Sequence, residues 1–430
     1  MTKLTTRPGT TRAGTTRPGT SRPGNSRHRA LLLVLAGNML IDALEVSVLL
    51  VALPAIGGDL GLSPWNTQWV MSGFALGFAA LLLLGPRITA RWGRRRVYLA
   101  ALLVFVLASA AGGLADGPAV LVLTRVVKGM CAALTAPTGL AIISTAFREG
   151  DEQRRAVSVY SLFGAAGFTA GLLASGVLTG LSWRWDLVLP APAALVLLVF
   201  AVRLIPDGRD PGGRDPGGRD PGGSDPGGRD PGGRAALLRN GAFVRSAVCA
   251  ACLNGTYLGL LLLVTFQLHN ERGWNSWQTA LALLPACLPL AVSLPHAPRM
   301  VARFGTDRLI TAGMLAAALG CAVHTLLGTP RAYATGVLPA LLLVEAGFVL
   351  SFAALNMQAT SGIPAARRGR AVPVYQTAVQ LGAAAVLPVV AALLGADGTA
   401  YRPALLLLTS VSAVSLLVAL TGARAGRGAT

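Results

Sequence analysis

Charge is scarce in this chain. Only 13% of its 430 residues are Asp, Glu, Lys or Arg, whereas 53% are hydrophobic, and the mean hydropathy is +0.59. A soluble protein of this length needs far more charge to cover its surface. Acids are scarcer still, 18 against 37 basic residues, for a net charge of +19. Such a balance would suit nucleic acid, but the arginines sit between apolar blocks rather than on one soluble face, which argues against a nucleic-acid partner. The five cysteines, Cys131, Cys249, Cys252, Cys287 and Cys321, all lie inside apolar blocks, so no disulfide framework is implied. Cys249-x-x-Cys252 has redox or metal spacing but no second pair, and reads as small packing residues. The four histidines are scattered and suggest no metal site. No Walker-type phosphate loop and no soluble domain stand out, which argues against an ATP-driven pump, an enzyme or a cofactor. Aromatics are few (6%), which argues against a broad stacking pocket.

What is present is a series of apolar blocks of about twenty residues, the length that crosses a bilayer as a helix. Twelve are predicted, at 30–53, 66–85, 97–115, 118–146, 157–180, 185–204, 243–268, 277–297, 308–328, 334–357, 371–395 and 402–422. The first follows a basic tail, as in a signal peptide. It is longer than a signal core and ends in no small-residue cleavage site, so it reads as a retained helix. With the N-terminus inside, 31 of the 37 basic residues fall in inner loops, tails and adjoining helix ends. The outer loops hold Arg184, Arg272, Arg331 and Arg402, and the remaining two, Arg125 and Lys128, lie within the fourth block. This bias predicts cytoplasmic termini in a plasma-membrane protein.

Two stretches are of low complexity. Residues 5–24 repeat T-[TS]-R-[PA]-G and residues 209–233 repeat [RS]-D-P-G-G. Proline and glycine at that density hold neither helix nor strand. The first repeat carries one positive charge per unit and suits anionic lipid headgroups. The predicted organisation is a disordered tail over 1–29, a six-helix bundle over 30–205, a flexible linker over 206–241, a second six-helix bundle over 242–422 and a tail over 423–430. An octapeptide recurs across the linker. PRITARWG (86–93) joins spans 2 and 3, and PRMVARFG (298–305) joins spans 8 and 9. Matching connectors at matching places imply a duplicated six-helix unit. The fold expected is therefore an all-α integral membrane protein of twelve helices, in two bundles related by a pseudo-two-fold axis.

VALPAI, QWV (68–70), PRITARWGRRR, LTRVVKGMCAALTAP (123–137), SWRW (182–185) and RRGRAVPVYQTAVQLGAA (367–384) occur in an order that resembles the major facilitator superfamily. Within it, they look most like the drug:proton antiporters related to the fourteen-span exporters, here without the two extra central helices. The resemblance implies a cytoplasmic gate at Arg87, Arg91, Gly93, Arg94 and Arg95, with Arg299, Arg303 and Gly305 as its twin. The family's acid in this connector is replaced by Ala90, and Ala302 stands at the equivalent place in the second copy. A latch formed without that acid would be weaker or would use Asp151 or Glu152. Arg125 takes the place of the family's fourth-span arginine, and Lys128 replaces the usual glutamine. Arg125 either faces a polar partner or snorkels to the headgroups. Gly167, Gly171, Ser175 and Gly176 resemble the antiporter motif of span 5 and imply close helix packing there. Leu172 stands where that motif has proline.

Asp42 and Glu45 lie three apart and share one face of span 1. Each ionised acid at the bilayer centre costs about 2.5–3.5 kcal/mol, and two so close repel one another. A protonatable carboxyl in a polar cavity is what a proton-driven transporter needs, so Glu45 with Asp42 is the expected proton site, with Arg125 modulating it. The same acids would also suit a cationic substrate. Glu345, in LLLVEAGFVL, is expected to contact a cation or bind a second proton. Gln267, Asn356, Gln376 and Gln380 are the other expected cavity groups.

Three functions follow from these residues and the resemblance. The first is proton-coupled efflux of a small amphipathic compound. The second is an uncoupled facilitator or a symporter, which the altered span-5 motif favours and the paired acids disfavour. The third is a transport-dead sensor or scaffold, which the absent latch acids allow. The partners implied are a small molecule, protons and membrane lipid, with a monomer as the family default.

Overall fold

The computed structural model describes residues 23–147, 151–205, 237, 239–287, 289, 297–327, 332–361, 363, 365–395 and 398–427. Among them the regular structure is entirely helical. The first half holds α1 (Pro23–Asp59), α2 (Pro64–Thr67), α3 (Trp69–Leu82), α4 (Gly85–Trp92), α5 (Arg94–Gly113), α6 (Pro118–Ala146), α7 (Asp151–Leu178), α8 (Trp183–Val188) and α9 (Pro190–Leu204). The second holds α10 (Gly241–Arg272), α11 (Ser276–Leu283), a 3₁₀ turn (Leu284–Cys287), α12 (Ala297–Phe304), α13 (Thr306–Leu327), α14 (Tyr333–Thr360), α15 (Ala365–Leu393) and α16 (Tyr401–Arg427).

Ten helices among the described residues are long and apolar enough to cross a membrane, and α2–α3 with α4 make an eleventh, bent by 57°. The break falls at Leu83-Leu84, one turn before Pro86, which has no N–H to give and whose ring crowds the preceding turn. The remaining expected span, 277–297, is described only as far as α11, the 3₁₀ turn and residue 289. Two expectations about the ends are corrected. The helix begins at Pro23, inside the tail expected to be disordered to residue 29, and α16 runs on to Arg427, past the expected end at 422. Proline is tolerated in the first turn of a helix, where Pro23 stands, and the single glycines Gly24 and Gly426 weaken a helix without ending it. The pentapeptide repeats lie almost wholly outside the described residues, and the 206–241 linker mostly so.

Local signals start and stop several helices. The Asn240 side chain accepts from the backbone N–H of Ala242 and Phe243 at 3.1 and 3.3 Å and caps α10, which Gly273 ends in the left-handed conformation (φ 62°). Asn275 and Gln278 form a reciprocal capping box on α11. The twin connectors fold alike. Each is an eight-residue helix closed by a glycine of positive φ, Gly93 (85°) and Gly305 (76°), from which the next long helix starts. Only glycine enters that region without strain.

The buried apolar core is divided. On the connector side each half has its own cluster, Leu35, Tyr98, Ile143 and Tyr160 in the first, and Phe243, Leu253, Met314 and Tyr375 in the second. On the opposite side one cluster crosses both halves, joining Leu53 and Ile56 of α1 to Leu262 and Leu263 of α10, Leu283 of α11 and Leu387 of α15. The molecule is therefore sealed away from the connectors, with its halves separately packed towards them.

Candidate functional site

The charged residues of spans 1 and 4 meet inside the first half. Glu45 on α1 and Arg125 and Lys128 on α6 are all at most 1% exposed. Arg125 Nη1 pairs with Glu45 Oε2, and Arg125 Nη2 donates to the Glu45 carbonyl oxygen at 3.0 Å. Arg125 Nε donates to the Val70 carbonyl at 3.1 Å, which ties in α3. Lys128 Nζ donates to Glu45 Oε1 at 2.7 Å and to the Leu187 carbonyl at 3.1 Å, which ties in α8. Aromatic faces cover both cations, Phe74 at 4.8 Å from the guanidinium and Phe105 at 5.3 Å from the ammonium. Arg125 does not snorkel. Its reach to the headgroups is forgone for a carboxylate and two carbonyls that satisfy it in place.

Asp42, one turn before Glu45, is half-buried and accepts from the Asn38 amide at 2.9 Å. Two acids and two bases thus lie within one buried cluster of the first half. Glu45 is matched by two cations, whereas Asp42 is held by a neutral amide. Sequence reasoning noted Lys128 only as a departure from the family glutamine and gave it no role. Its spacing of three from Arg125 on one helical face was the available signal. Asn38, at i−4 from Asp42, was missed for want of any charge.

Close helix crossings position this cluster. A Cβ at Gly129 would strike the Phe74 carbonyl, and one at Gly77 would strike the Val126 carbonyl, so α3 and α6 touch backbone to backbone beside Lys128. In span 5, a Cβ at Gly167 would meet the Leu40 carbonyl and one at Gly171 the Ser47 hydroxyl and the Leu44 carbonyl. The glycines of the expected motif therefore pack α7 on α1 although Leu172 stands in place of proline. Gly176 lies against Trp277 and Ala280 of the other half. Ser175 does more than pack. With Thr179 it hydrogen-bonds the buried Asp186 carboxyl, at 3.4 and 2.5 Å respectively. Asp186 follows SWRW directly, and sequence reasoning missed it.

In the second half Glu345 is 1% exposed, and the Tyr257 hydroxyl hydrogen-bonds its carboxyl. Among the described residues its Oε2 has no partner. Tyr257 belongs to an aromatic run that crosses between the halves. Phe168 lies 6.3 Å from Tyr257, Tyr257 4.7 Å from Phe348, and Phe348 is stacked on Phe352 at 4.9 Å. The low aromatic content thus conceals a concentrated set of rings. Asn356 and Gln376 face one another at 3.4 Å and are half-buried, as is Gln380. Gln267 is placed apart from them, held between His324 and Glu271.

Of the expected gate residues, Arg87, Arg91, Gly93, Arg299, Arg303 and Gly305 are exposed, and Arg94 and Arg95 are half-buried. Arg95 Nη2 donates to the Val202 carbonyl at 2.6 Å, within its own half. On the opposite side Trp183 donates to Asp59 at 2.8 Å, and Arg184 bridges Asp59 and Asp116 at 3.5 and 3.8 Å. The SWRW segment thus fastens the C-terminal end of α1. Among the described residues no group of three His, Cys, Asp or Glu could hold a metal ion.

Residues 35–387 match the family model described as Major Facilitator Superfamily. The chain is 32% identical over 399 residues to the puromycin resistance protein pur8 of Streptomyces alboniger, which covers 82% of this chain and 79% of that protein. It is 31% identical over 422 residues to the cephamycin export protein CmcT of Amycolatopsis lactamdurans, covering 87% and 86%. The fold is similar to the crystal structure of the nucleoside transporter NupG, with a TM-score of 0.70 at 13% identity over 92% of this chain and 98% of that one.

Proposed function

The chain belongs to the major facilitator superfamily, and from that premise we propose that it exports a small amphipathic organic compound in exchange for protons. It is a multi-span membrane transporter that handles a small molecule, and it is not an enzyme. The direction and the coupling are the proposal. Export is supported by two relatives, aligned over most of their length, whose names state puromycin resistance and cephamycin export.

The observation that carries the coupling is the cluster of Asp42, Glu45, Arg125 and Lys128. Glu45 holds both cations in place. Asp42 has no cation in direct contact among the described residues, so it is the acid we assign to proton exchange. A proton there changes the charge of the cluster by one unit, and the change is felt strongly where water is excluded. Where the halves meet, Glu345 and the rings of Tyr257, Phe168 and Phe348 form a subsite for a compound with a cationic group beside a flat apolar body. Asn356, Gln376 and Gln380 supply further polar contacts.

The supporting frame is a plasma-membrane protein with both termini cytoplasmic, two six-helix bundles over 30–205 and 242–422, and the 206–241 linker between them. It works as a monomer in contact with lipid. The arginine connectors face the cytoplasm and form the two parts of a gate that is open when the opposite side is sealed. The replacement of proline by Leu172 favours a second reading, an uncoupled facilitator or symporter on the same fold.

Everted membrane vesicles with a pH-quenched dye separate the two. Addition of a cationic amphiphile should evoke proton movement in the wild type and none in Asp42→Asn. Equilibration of the compound without proton movement in the wild type would establish the facilitator instead.

A further inference from the structure

A second polar chain lies in the other half, on the side away from the arginine connectors. His324 on α13 is fully buried. Its Nδ1 faces the Gly336 carbonyl on α14 at 3.3 Å, and its Nε2 faces Oε1 of Gln267 on α10 at 3.1 Å. The Gln267 amide nitrogen in turn faces Oε2 of Glu271 at 3.3 Å. Gln267 is 1% exposed, and Glu271, one turn further on, is exposed. An exposed carboxylate is thereby linked to a sealed imidazole through one amide.

The protons in this chain can be counted. A carbonyl oxygen only accepts, so Nδ1 carries a hydrogen towards Gly336. If Gln267 turns its oxygen to the ring, Nε2 must also carry a hydrogen. The ring is then an imidazolium, and the amide N–H donates to an ionised Glu271. If the amide is rotated by half a turn, its N–H donates to a neutral Nε2. Its oxygen then faces Glu271 Oε2, which must carry the hydrogen of that bond. Both arrangements hold one proton more than a neutral ring and a free carboxylate. A chain with no extra proton must leave one of the three hydrogen bonds unmade, and inside a sealed core that is costly. Among the described residues Glu271 is the charged group linked to His324. Tyr401 on α16 lies near Glu271, Arg272 follows it in the chain, and α13 meets α16 near His324 through the neutral Thr325–Thr409 pair.

We propose that Glu271, Gln267 and His324 form a proton-binding site that loads from the side opposite the arginine connectors and holds one proton, at the ring or at the carboxyl according to the orientation of the Gln267 amide. The site is distinct from Asp42 and Glu45 and stands whether or not those acids couple transport.

The test is ring-¹⁵N NMR of the full chain in lipid nanodiscs, in a form that keeps only His324 (His28→Gln, His269→Gln, His296→Gln). Between about pH 5 and pH 9, on either side of the free imidazole range, the ring should exchange between imidazolium and the neutral Nδ1–H form. Glu271→Gln, at an exposed position compatible with folding, should lower the imidazolium-to-neutral ratio about tenfold at any given pH, one pH unit of displacement. Gln267→Leu should displace the titration as well. A ring that stays in one neutral form over the whole range, with the ¹³C shift of the Glu271 side-chain carboxyl showing no protonation over that range, would overturn the site. So would a titration that neither substitution moves.

Discussion

Glu45 and its two cations set the strongest expectations at the scale of single residues. Removing the acid leaves Arg125 and Lys128 buried without a counter-charge, and breaking a buried pair from one side costs about 3–5 kcal/mol. Glu45→Gln should therefore lower the thermal unfolding midpoint in detergent as well as stop transport. Lys128→Gln leaves Glu45 paired with Arg125 and should cost less. A double-mutant cycle on Glu45 and Lys128 should return a coupling of about 1–3 kcal/mol, as contacting groups in one network do. A coupling near zero would mean that the ammonium is held by the Leu187 carbonyl and Phe105 alone. Glu345→Gln should reduce binding of cationic amphiphiles at least about tenfold, a loss of about 1.4 kcal/mol, and leave neutral analogues unchanged. Fluorescence titration with a matched pair of ligands reads this directly. The acids of span 1 and Arg125 were legible in the sequence, because charge inside an apolar run stands out. Lys128 was visible but unassigned, and Asn38 and Asp186 were not singled out. A neutral amide inside an apolar run, and an acid at the start of one, look like ordinary boundary residues until their partners are known.

At the scale of elements, the helices that carry the site are positioned by glycine. Gly129 and Gly77 let α6 and α3 meet backbone to backbone, so Gly129→Leu should force them apart and displace Lys128 by the thickness of a side chain. Loss of the folded, monodisperse peak in size-exclusion chromatography is the expected outcome. Gly93→Ala is a gentler test. It places a Cβ in a backbone conformation with φ 85° and should cost about 1 kcal/mol or more of stability. Gly305→Ala should behave alike, because the two connectors have the same geometry. That likeness was legible as a repeated octapeptide, and so was the duplication it implies. The bend at Leu83-Leu84 and the extension of α1 back to Pro23 were not. Hydropathy marks where a helix is greasy, and a helix continues until its backbone hydrogen bonds are interrupted.

At the scale of the whole molecule, one apolar cluster spans both halves on one side, and two separate clusters lie on the other. Sequence patterns located the halves but held no information on which side is sealed, since that depends on contacts between residues far apart in the chain. The connector side should be the accessible one. A cysteine placed at Asp42 in a cysteine-free background should react with a small polar thiol reagent from the connector side and resist it from the other. Transport requires the reverse state as well, and a proton on the Asp42–Glu45 cluster is what we assign to setting the balance between the two. The measurement closest to that assignment is flux of a cationic amphiphile in proteoliposomes under an imposed pH gradient, comparing wild type with Asp42→Asn. Wild type should move the compound against its own gradient, whereas Asp42→Asn should still exchange compound for compound but no longer respond to pH. Uphill, pH-driven movement that survives in Asp42→Asn at the wild-type rate would contradict the assignment.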